Sequence, residues 1–194
     1  MEVFEAIEKR RSIKPLDMKT EPVDTDLIKR LLAAGNWAPS HRHTEPWRFI
    51  VFTDAAREDL ADVVISSLSP SGEAPVSPDH PKYQTTYNKM LNAPVIIAII
   101  CRTSPLPKVI PHEEIASTAI AVQNMHLAAR ALGLGAFWTS GAKCFHPKVA
   151  EFLSLQSNDQ CLGFLYVGWP KVEWPNGKRG PIEDKVEWRT NSQK

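Results

Sequence analysis

The run from Pro94 to Cys101 limits the possible folds more than any other stretch, because every residue in it is apolar. The run is short and rich in β-branched side chains, which favours a strand. A strand that is apolar on both faces needs cover on both sides. The sequence therefore predicts a central strand that is packed between two layers.

The remaining elements alternate irregularly between helices and strands. We predict further strands at Trp47–Phe52, Ala136–Thr139 and Cys161–Gly168. Helices are predicted near residues 3–8, 26–38, 55–67, 83–91, 110–132 and 146–153. The strands are few and unevenly spaced, which favours an α+β fold over a regular parallel series.

Two parts of the chain need extensive burial. The helix candidate Ile110–Leu132 is apolar around most of its circumference and is placed to end at Gly133. It should lie in a core or against another subunit. The C-terminal part carries Trp169, Trp174 and Trp188, whose large apolar rings favour wrapping onto the chain's own body or onto a partner.

Length and composition predict one domain, residues 1–194. The chain is 43% hydrophobic, which suffices for a substantial core, and its net charge of +1 favours neither nucleic acid nor an acidic membrane. Three separated cysteines, a charged N-terminus and short apolar runs predict a soluble, cytoplasmic protein. We also expect a mobile loop at 69–81, rich in proline and serine, and a wrapping tail at 170–194.

Four cations lie within the six residues from Lys9 to Lys14. A short helix precedes them and Pro15 follows, so they lie where a helix gives way to an extended segment. Two interpretations stay open at this point. The cations either complement the helix dipole in solvent, or they form an anion site in which guanidinium groups bind a phosphate.

Familiar catalytic motifs are absent from the sequence. It contains no phosphate loop and no nucleophile elbow, and Gly133-Leu134-Gly135 lacks the third glycine of a dinucleotide fingerprint. His41 and His43 have no visible third ligand, so we predict no metal site. Cys144, next to Lys143, is more simply a buried thiol than a reactive one. An enzyme with this sequence would leave the difficult chemistry to a bound cofactor.

Four segments resemble the signatures of the FMN-dependent nitroreductase family, in the same order. Arg10-Arg11-Ser12-Ile13-Lys14 resembles its Arg-x-Ser-x-Lys motif, and Ala38–Trp47 resembles Ala-Pro-Ser followed by Gln-Pro-Trp. Gly133–Gly141 is similar to the segment in which a long helix ends and a strand leads to the flavin. Arg179-Gly180-Pro181 resembles the C-terminal Arg-x-Pro. The length is closest to the short branch of the family, whose members are named as NAD(P)H nitroreductases.

The resemblance implies a fold, a cofactor and an assembly. The fold is α+β, with a central, mainly antiparallel sheet flanked by helices, and the assembly is an intertwined homodimer with two FMN sites at the interface. NAD(P)H would reduce FMN, and a nitroaromatic, quinone or similar electron-poor acceptor would follow in ping-pong order. The alternatives are another flavin reaction on this fold, such as reductive dehalogenation or flavin destruction, and a non-enzymatic flavin-binding protein.

The resemblance also implies a set of cofactor-binding residues. They are Arg10, Arg11, Ser12, Lys14, Trp37, His41, Thr139, Ser140, Gly141 and Arg179. Arg10 and Ser12 would bind the phosphate and the ribityl chain, and Lys14 would lie at the pyrimidine edge of the ring. Trp37 and His41 would line the FMN of the partner subunit. No side chain is implied as acid or base.

The remaining assignments come from the same resemblance. Thr139–Gly141 would pass along the ring, Arg179 would be a second phosphate cation, and Ala129–Leu134 would contact the nicotinamide nucleotide. His43 and Glu45 depart from the family's usual Asn and Gln. A carboxylate at the second of these positions cannot donate a hydrogen bond to a flavin carbonyl unless it is protonated. We expect the Glu45 carboxylate instead to pair with a nearby arginine, Arg42 or Arg48.

Overall fold

The structure, a computed structural model, describes residues 1–67 and 79–190, with the backbone alone at Lys82. These residues form six α-helices and four β-strands. In chain order they are α1 (Val3–Lys9), α2 (Thr25–Asn36), β1 (Trp47–Phe52), α3 (Ala56–Ser66), α4 (Pro81–Asn92), β2 (Val95–Arg102), α5 (Pro111–Ala131), β3 (Gly135–Thr139), α6 (Pro147–Phe152) and β4 (Asp159–Gly168). Short 3₁₀ turns at Pro15–Asp17, His41–His43, Ala142–Phe145 and Glu183–Lys185 complete the described part.

The four strands form one sheet in the order β1-β2-β4-β3. All three pairings are antiparallel, and Ile97 of β2 lies opposite Val51 of β1 and Leu165 of β4. The strand predicted from the apolar run is therefore interior. The predicted α+β fold with a mainly antiparallel sheet is confirmed.

Alternate side chains of β2 enter two separate cores, one on each face of the sheet. Ile96 and Ala98 belong to the first core, which α3, α4 and α6 cover with Leu60, Met90 and Val149. The second core contains Ile97 and Ile99 together with Ile28 and Leu31 of α2 and Val122 and Met125 of α5. This two-sided cover is what an uninterrupted apolar strand requires.

The predicted long helix is present as α5, but it buries an unexpected set of side chains. It begins at Pro111, and Gly133 follows its end with a φ of 78°. Glu114 and His126 are buried, whereas the apolar Ile120 is exposed. The Glu114 carboxylate accepts two hydrogen bonds at its buried position, from the Thr44 hydroxyl and the Ser104 N–H. The packing of Ile120 against another subunit stays a prediction.

The C-terminal tail follows its own chain for only part of its length. Trp169 donates from Nε1 to the Pro22 carbonyl at 3.2 Å, and the ring of Trp174 lies 3.9 Å from the Arg130 guanidinium carbon. Trp188, by contrast, is 85% exposed. Its burial on a partner stays a prediction.

The loop predicted at 69–81 lies largely outside the described residues. Asp79 and His80 form a turn, and Pro81 is not in a loop because it begins α4. Pro is well suited to a first helical position, where its missing N–H is not needed. The mobility predicted for this segment is therefore untested for residues 69–78.

Candidate functional site

The cationic segment runs beside β3 as an added extended piece. α1 ends at Lys9, and the Ile13 N–H donates to the Ala136 carbonyl at 3.1 Å. Ile13 is buried against Gly135, where a Cβ would lie 2.8 Å from the Ile13 Cβ. Only glycine allows this close approach. Ser12 and Lys14, which flank Ile13, are exposed.

Three arginines converge on one cleft, which we call the arginine cleft. It has a volume of about 540 Å³ and is lined by Ile7, Glu8, Arg10, Arg11, Gln123, Gly177 and Arg179. None of these guanidinium groups forms an ion pair with a carboxylate in residues 1–67 or 79–190. Burial, and after it the charges of Arg179 and Arg11, lower the pKa of Arg10. Unneutralised cations in a concave site favour an anionic ligand.

Arg11 is held differently from the other two arginines. Its Nη1 donates to the Glu8 and Arg10 carbonyls, each at 2.6 Å, and its Nε is buried without a hydrogen-bond partner in the described chain. Gly177 lies directly against the guanidinium group, where a Cβ would overlap it. Arg11 thus contacts both the end of α1 and the C-terminal tail.

His126 of α5 is a further polar residue in this region that sequence reasoning missed. Its side chain is 7% exposed, and Nδ1 has no hydrogen-bond partner within the described ranges. Burial, and after it the charge of Arg10, lower the pKa of His126 to about 4. The imidazole is therefore neutral at pH 7. A histidine inside an apolar helical pattern carries no local signal of this environment.

Lys14 faces a second cleft, the lysine cleft. It has a volume of about 370 Å³ and is lined by Lys14, Pro15, Leu16, Asp17, Lys89 and Phe137. Lys89 was not predicted from the sequence. Its Nζ lies 5.1 Å from the Phe137 ring centroid and 5.8 Å from that of Tyr166. Burial, and after it the charges of Lys143 and Lys14, lower the pKa of Lys89.

The position of Lys89 is fixed by an asparagine one turn further along α4. The Asn92 amide donates to the Pro15 and Met18 carbonyls, at 2.5 and 2.8 Å. These bonds attach α4 to the turn that follows Lys14. Two cations distant in sequence are thereby brought to one cleft, with aromatic faces beneath one of them.

The segment Thr139–Gly141 leaves the sheet where β4 is irregular. β3 ends at Thr139, and Ser140 and Gly141 are exposed. In β4, Gly163 has a φ of 130°, and a Cβ there would overlap the Thr139 carbonyl oxygen. Ile99 faces Gly163 and Ile100 faces Cys161, so Leu162 is the extra residue of a bulge.

Trp37 and His41 line neither cleft of their own chain. Trp37 follows α2 and is 87% exposed, and the His41 Nε2 lies 4.0 Å from the Glu113 Oε2. Their expected place at the partner's cofactor stays a prediction. The expected pairing of the Glu45 carboxylate with an arginine is absent from the described contacts. The Glu45 carbonyl, not its carboxylate, accepts from Arg48 at 2.7 Å.

The segment Ala129–Leu134 and the cysteines Cys144 and Cys161 line neither the arginine cleft nor the lysine cleft. Ala129–Leu134 forms the end of α5 and the turn after it, with the Leu134 N–H donating to the Ala129 carbonyl at 2.8 Å. Its contact with a nicotinamide nucleotide stays a prediction. Cys144 and Cys161 are free thiols buried next to each other in the first core. The hydrogen bond with Cys144, and after it burial, raises the pKa of Cys161.

Comparison with known proteins decides the family. The model of the Nitroreductase family matches residues 7–169. The chain belongs to the nitroreductase family. This match covers the cationic segment, the whole lysine cleft, the arginine cleft except for Gly177 and Arg179, and the whole sheet of the nitroreductase fold.

Individual nitroreductases agree with this result. "Putative NAD(P)H nitroreductase YdjA" of Escherichia coli (strain K12) is 32% identical over 174 residues, which cover 89% of this chain and 91% of YdjA. A solved nitroreductase-like family protein from Bacillus cereus superposes with a TM-score of 0.85 at 28% identity, covering 98% of this chain and 97% of its own.

A second solved structure in the family contains a bound flavin. The protein, from Desulfovibrio desulfuricans, was solved in complex with FMN and has a TM-score of 0.75 at 25% identity, with 99% of both chains covered. In the part of the present nitroreductase that the structure describes, no helix has both the length and the apolar character needed to cross a membrane.

Proposed function

We propose that the protein is an FMN-dependent oxidoreductase that uses NAD(P)H to reduce nitroaromatic, quinone or similar electron-poor acceptors. The observation that carries this proposal is one extended segment with Arg10 at the arginine cleft and Lys14 at the lysine cleft. A ligand with a phosphate at one end and an electron-accepting ring at the other suits this arrangement. The FMN-bound family structure and the name of YdjA support the same cofactor and donor.

At the arginine cleft, Arg10 and Arg179 would hold the phosphate. Neither is neutralised by a carboxylate in the described part of the chain, and Arg10 already experiences the repulsion of its neighbours. A phosphate dianion relieves that repulsion through charge-assisted hydrogen bonds. Ser12, exposed on the same segment, would donate to the phosphate or the ribityl chain. Arg11 would bind more weakly, because its guanidinium group is already engaged.

At the lysine cleft, Lys14 and Lys89 would place positive charge beside the pyrimidine edge of the ring. When bound, FMN accepts a hydride from NAD(P)H and passes the electrons to the acceptor. Fixed cations stabilise negative charge that develops beside them, most strongly where water is excluded. Thr139–Gly141 would follow the ring, with the exposed backbone of Ser140 and Gly141 available to it. No side chain needs to act as acid or base, since solvent can supply protons.

The site would be completed by a second copy of the chain. Large apolar side chains lie open on α1 and on the tail, with Phe4 76% and Trp188 85% exposed, and Trp37 is more exposed still. Such exposure is unfavourable in an isolated chain. An intertwined homodimer would bury these rings and bring Trp37 and His41 to the partner's flavin.

The visible spectrum of the purified protein tests the proposal. We expect flavin absorbance in the protein as purified or after addition of FMN, and bleaching of that absorbance by NADH or NADPH under anaerobic conditions. A nitroaromatic or a quinone should then restore the colour. A colourless protein that does not take up FMN would contradict the proposal. A flavoprotein that NAD(P)H never bleaches would favour another flavin reaction instead.

Changing Arg10 to alanine is expected to weaken FMN binding about 30-fold, or ~2 kcal/mol, because a charge-assisted pair with the phosphate is lost. Quenching of flavin fluorescence in a titration of the flavin-free protein measures this. The matched control is Lys9→Ala, since Lys9 is the adjacent cation and pairs with Glu5 in solvent at 2.8 Å. Unchanged affinity in Arg10→Ala would show that the phosphate lies elsewhere.

Changing Lys89 to methionine is expected to slow bleaching of the flavin by NAD(P)H about tenfold, because one of two cations beside the ring is removed. Methionine is an unbranched, uncharged side chain of similar length, and its thioether can pack near the Phe137 and Tyr166 rings where the Lys89 Nζ lies. Stopped-flow absorbance and the midpoint potential of the flavin report the change. Lys29→Met on α2, where the lysine pairs with Asp26 in solvent, should behave as the wild type. An unaltered midpoint potential of the flavin in Lys89→Met would show that Lys89 does not lie beside the ring.

A further inference from the structure

Glu114 is fully buried and lines neither the arginine cleft nor the lysine cleft. It lies in the first part of α5 with 0% exposure, and it forms no ion pair with any described residue. Each of its oxygens accepts one hydrogen bond from a different loop. The Thr44 hydroxyl donates to Oε1 at 2.6 Å, and the Ser104 N–H donates to Oε2 at 3.1 Å. The carboxylate therefore joins two loops to one helix.

The first of these loops, residues 40–45, has an unfavourable backbone conformation. Arg42, His43 and Glu45 have φ values of 55°, 53° and 46°, a region that residues other than glycine rarely adopt. Such a conformation persists only where surrounding contacts impose it. Within the loop, the Ser40 hydroxyl accepts from the Glu45 N–H at 3.1 Å. The bond from Thr44 to Glu114 joins the loop to α5, where the His41 Nε2 also lies 4.0 Å from the Glu113 Oε2.

Stability alone gives no reason for a carboxylate at position 114. Burying a carboxyl group without a counter-cation costs more than burying an apolar side chain of similar size. What the carboxylate provides, and leucine cannot, is two acceptors at fixed positions for two separate loops. We therefore attribute the carboxylate to the conformation of the loops that it binds. One of these loops, residues 40–45, contains His41.

We propose that Glu114 is a positioning residue, which holds the loop 40–45 in its left-handed conformation so that His41 meets the cofactor site of the partner subunit. The inference rests on the proposed function, which assigns His41 to that site. Glu114 acts through Thr44 and does not itself touch the cofactor. The Ser104 N–H donates to Oε2 of the same carboxylate. This second hydrogen bond restricts the carboxylate and keeps Oε1 oriented toward the Thr44 hydroxyl.

The test compares Glu114→Leu, Glu114→Gln and Thr44→Val. Glu114→Leu and Thr44→Val should each weaken FMN binding about tenfold. The double variant should be no weaker than the weaker single variant, because both changes remove the same contact. Glu114→Gln should bind nearly as the wild type, since its amide can accept from Ser104 and donate to the Thr44 oxygen. Glu151→Leu, at an exposed carboxylate of α6, serves as the control.

Amide hydrogen exchange on the flavin-free protein separates this inference from the proposed function. In Glu114→Leu and Thr44→Val, the hydrogen-bonded amides of His43, Thr44 and Glu45 should exchange at least tenfold faster, while those in the middle of α5 stay as in the wild type. If the wild type binds no FMN, the proposed function fails, and exchange still reports on the attachment of the loop. Unchanged exchange in Thr44→Val, or losses of affinity that multiply in the double variant, would overturn the role of Glu114.

Discussion

Replacing Gly163 by alanine is expected to destabilise the protein by about 4 kcal/mol, through a steric overlap and a strained backbone together. Gly163 has a φ of 130°, which residues with a side chain rarely adopt. The new Cβ would overlap the Thr139 carbonyl oxygen and lie 2.9 Å from the Trp138 Nε1. Because the first of these is a backbone atom, the overlap can be relieved only if β3 moves away from β4.

Urea unfolding followed by circular dichroism measures the effect of Gly163→Ala. Gly180→Ala is the control, since its Cβ would meet nothing closer than the Lys185 Nζ at 3.4 Å. A shift of β3 would also displace Thr139–Gly141, so we expect weaker FMN binding in any Gly163→Ala protein that folds. A Gly163→Ala variant with wild-type stability would show that Gly163 has neither the positive φ nor the close approach to the Thr139 carbonyl.

Acid should destabilise the flavin-free protein through His126, by about 3 kcal/mol in total. Its pKa is about 4 in the folded chain, against an ordinary value of 6.5. Between these two values the unfolded chain binds a proton at this imidazole and the folded chain does not. The free energy of unfolding therefore falls as the pH is lowered from 6.5 to about 4. Below that range both forms bind the proton and the loss is complete.

The variant His126→Leu isolates this contribution. We expect a shallower decline of stability between pH 6.5 and 4 than in the wild type, measured by urea unfolding at several pH values. His112→Leu, at an exposed position of the same helix, should keep the wild-type decline. Parallel pH profiles for wild type and His126→Leu would mean that the imidazole takes up its proton equally in both states.

Local patterns were enough to predict the elements and the fold class. The run Pro94–Cys101 is apolar at every position, and this continuity is what a strand buried on both faces requires. Asp24 precedes α2, and its carboxylate accepts from the Asp26 N–H at 2.7 Å, as expected of an aspartate at a helix start. Trp47–Phe52 combines aromatic and β-branched residues and forms β1 as predicted. Each of these signals lies within one segment of the chain.

The parts of the site that sequence reasoning missed depend on contacts between distant segments. Lys89 lies beside Lys14 where α4 is attached to the turn at Pro15 through Asn92. Thr44 and Glu114 are 70 residues apart, and neither shows its partner in its own neighbourhood. The pKa of His126 is low because the imidazole is buried and, after that, because the charge of Arg10 lies near it. Periodicity identifies the face of a helix, but it cannot tell a buried polar residue from an exposed one.

The arginine cleft also sets an order of events during synthesis. Its walls come from residues 7–11, from α5, and from residues 177–179, so nearly the whole chain must leave the ribosome before the cleft exists. The sheet has a similar requirement, since β4 enters between β2 and β3 and pairs with both. Contacts of such long sequence separation form late, because closing long loops is slow. The FMN that we propose for this cleft would therefore meet a chain that has already folded, and it would not act as a folding nucleus.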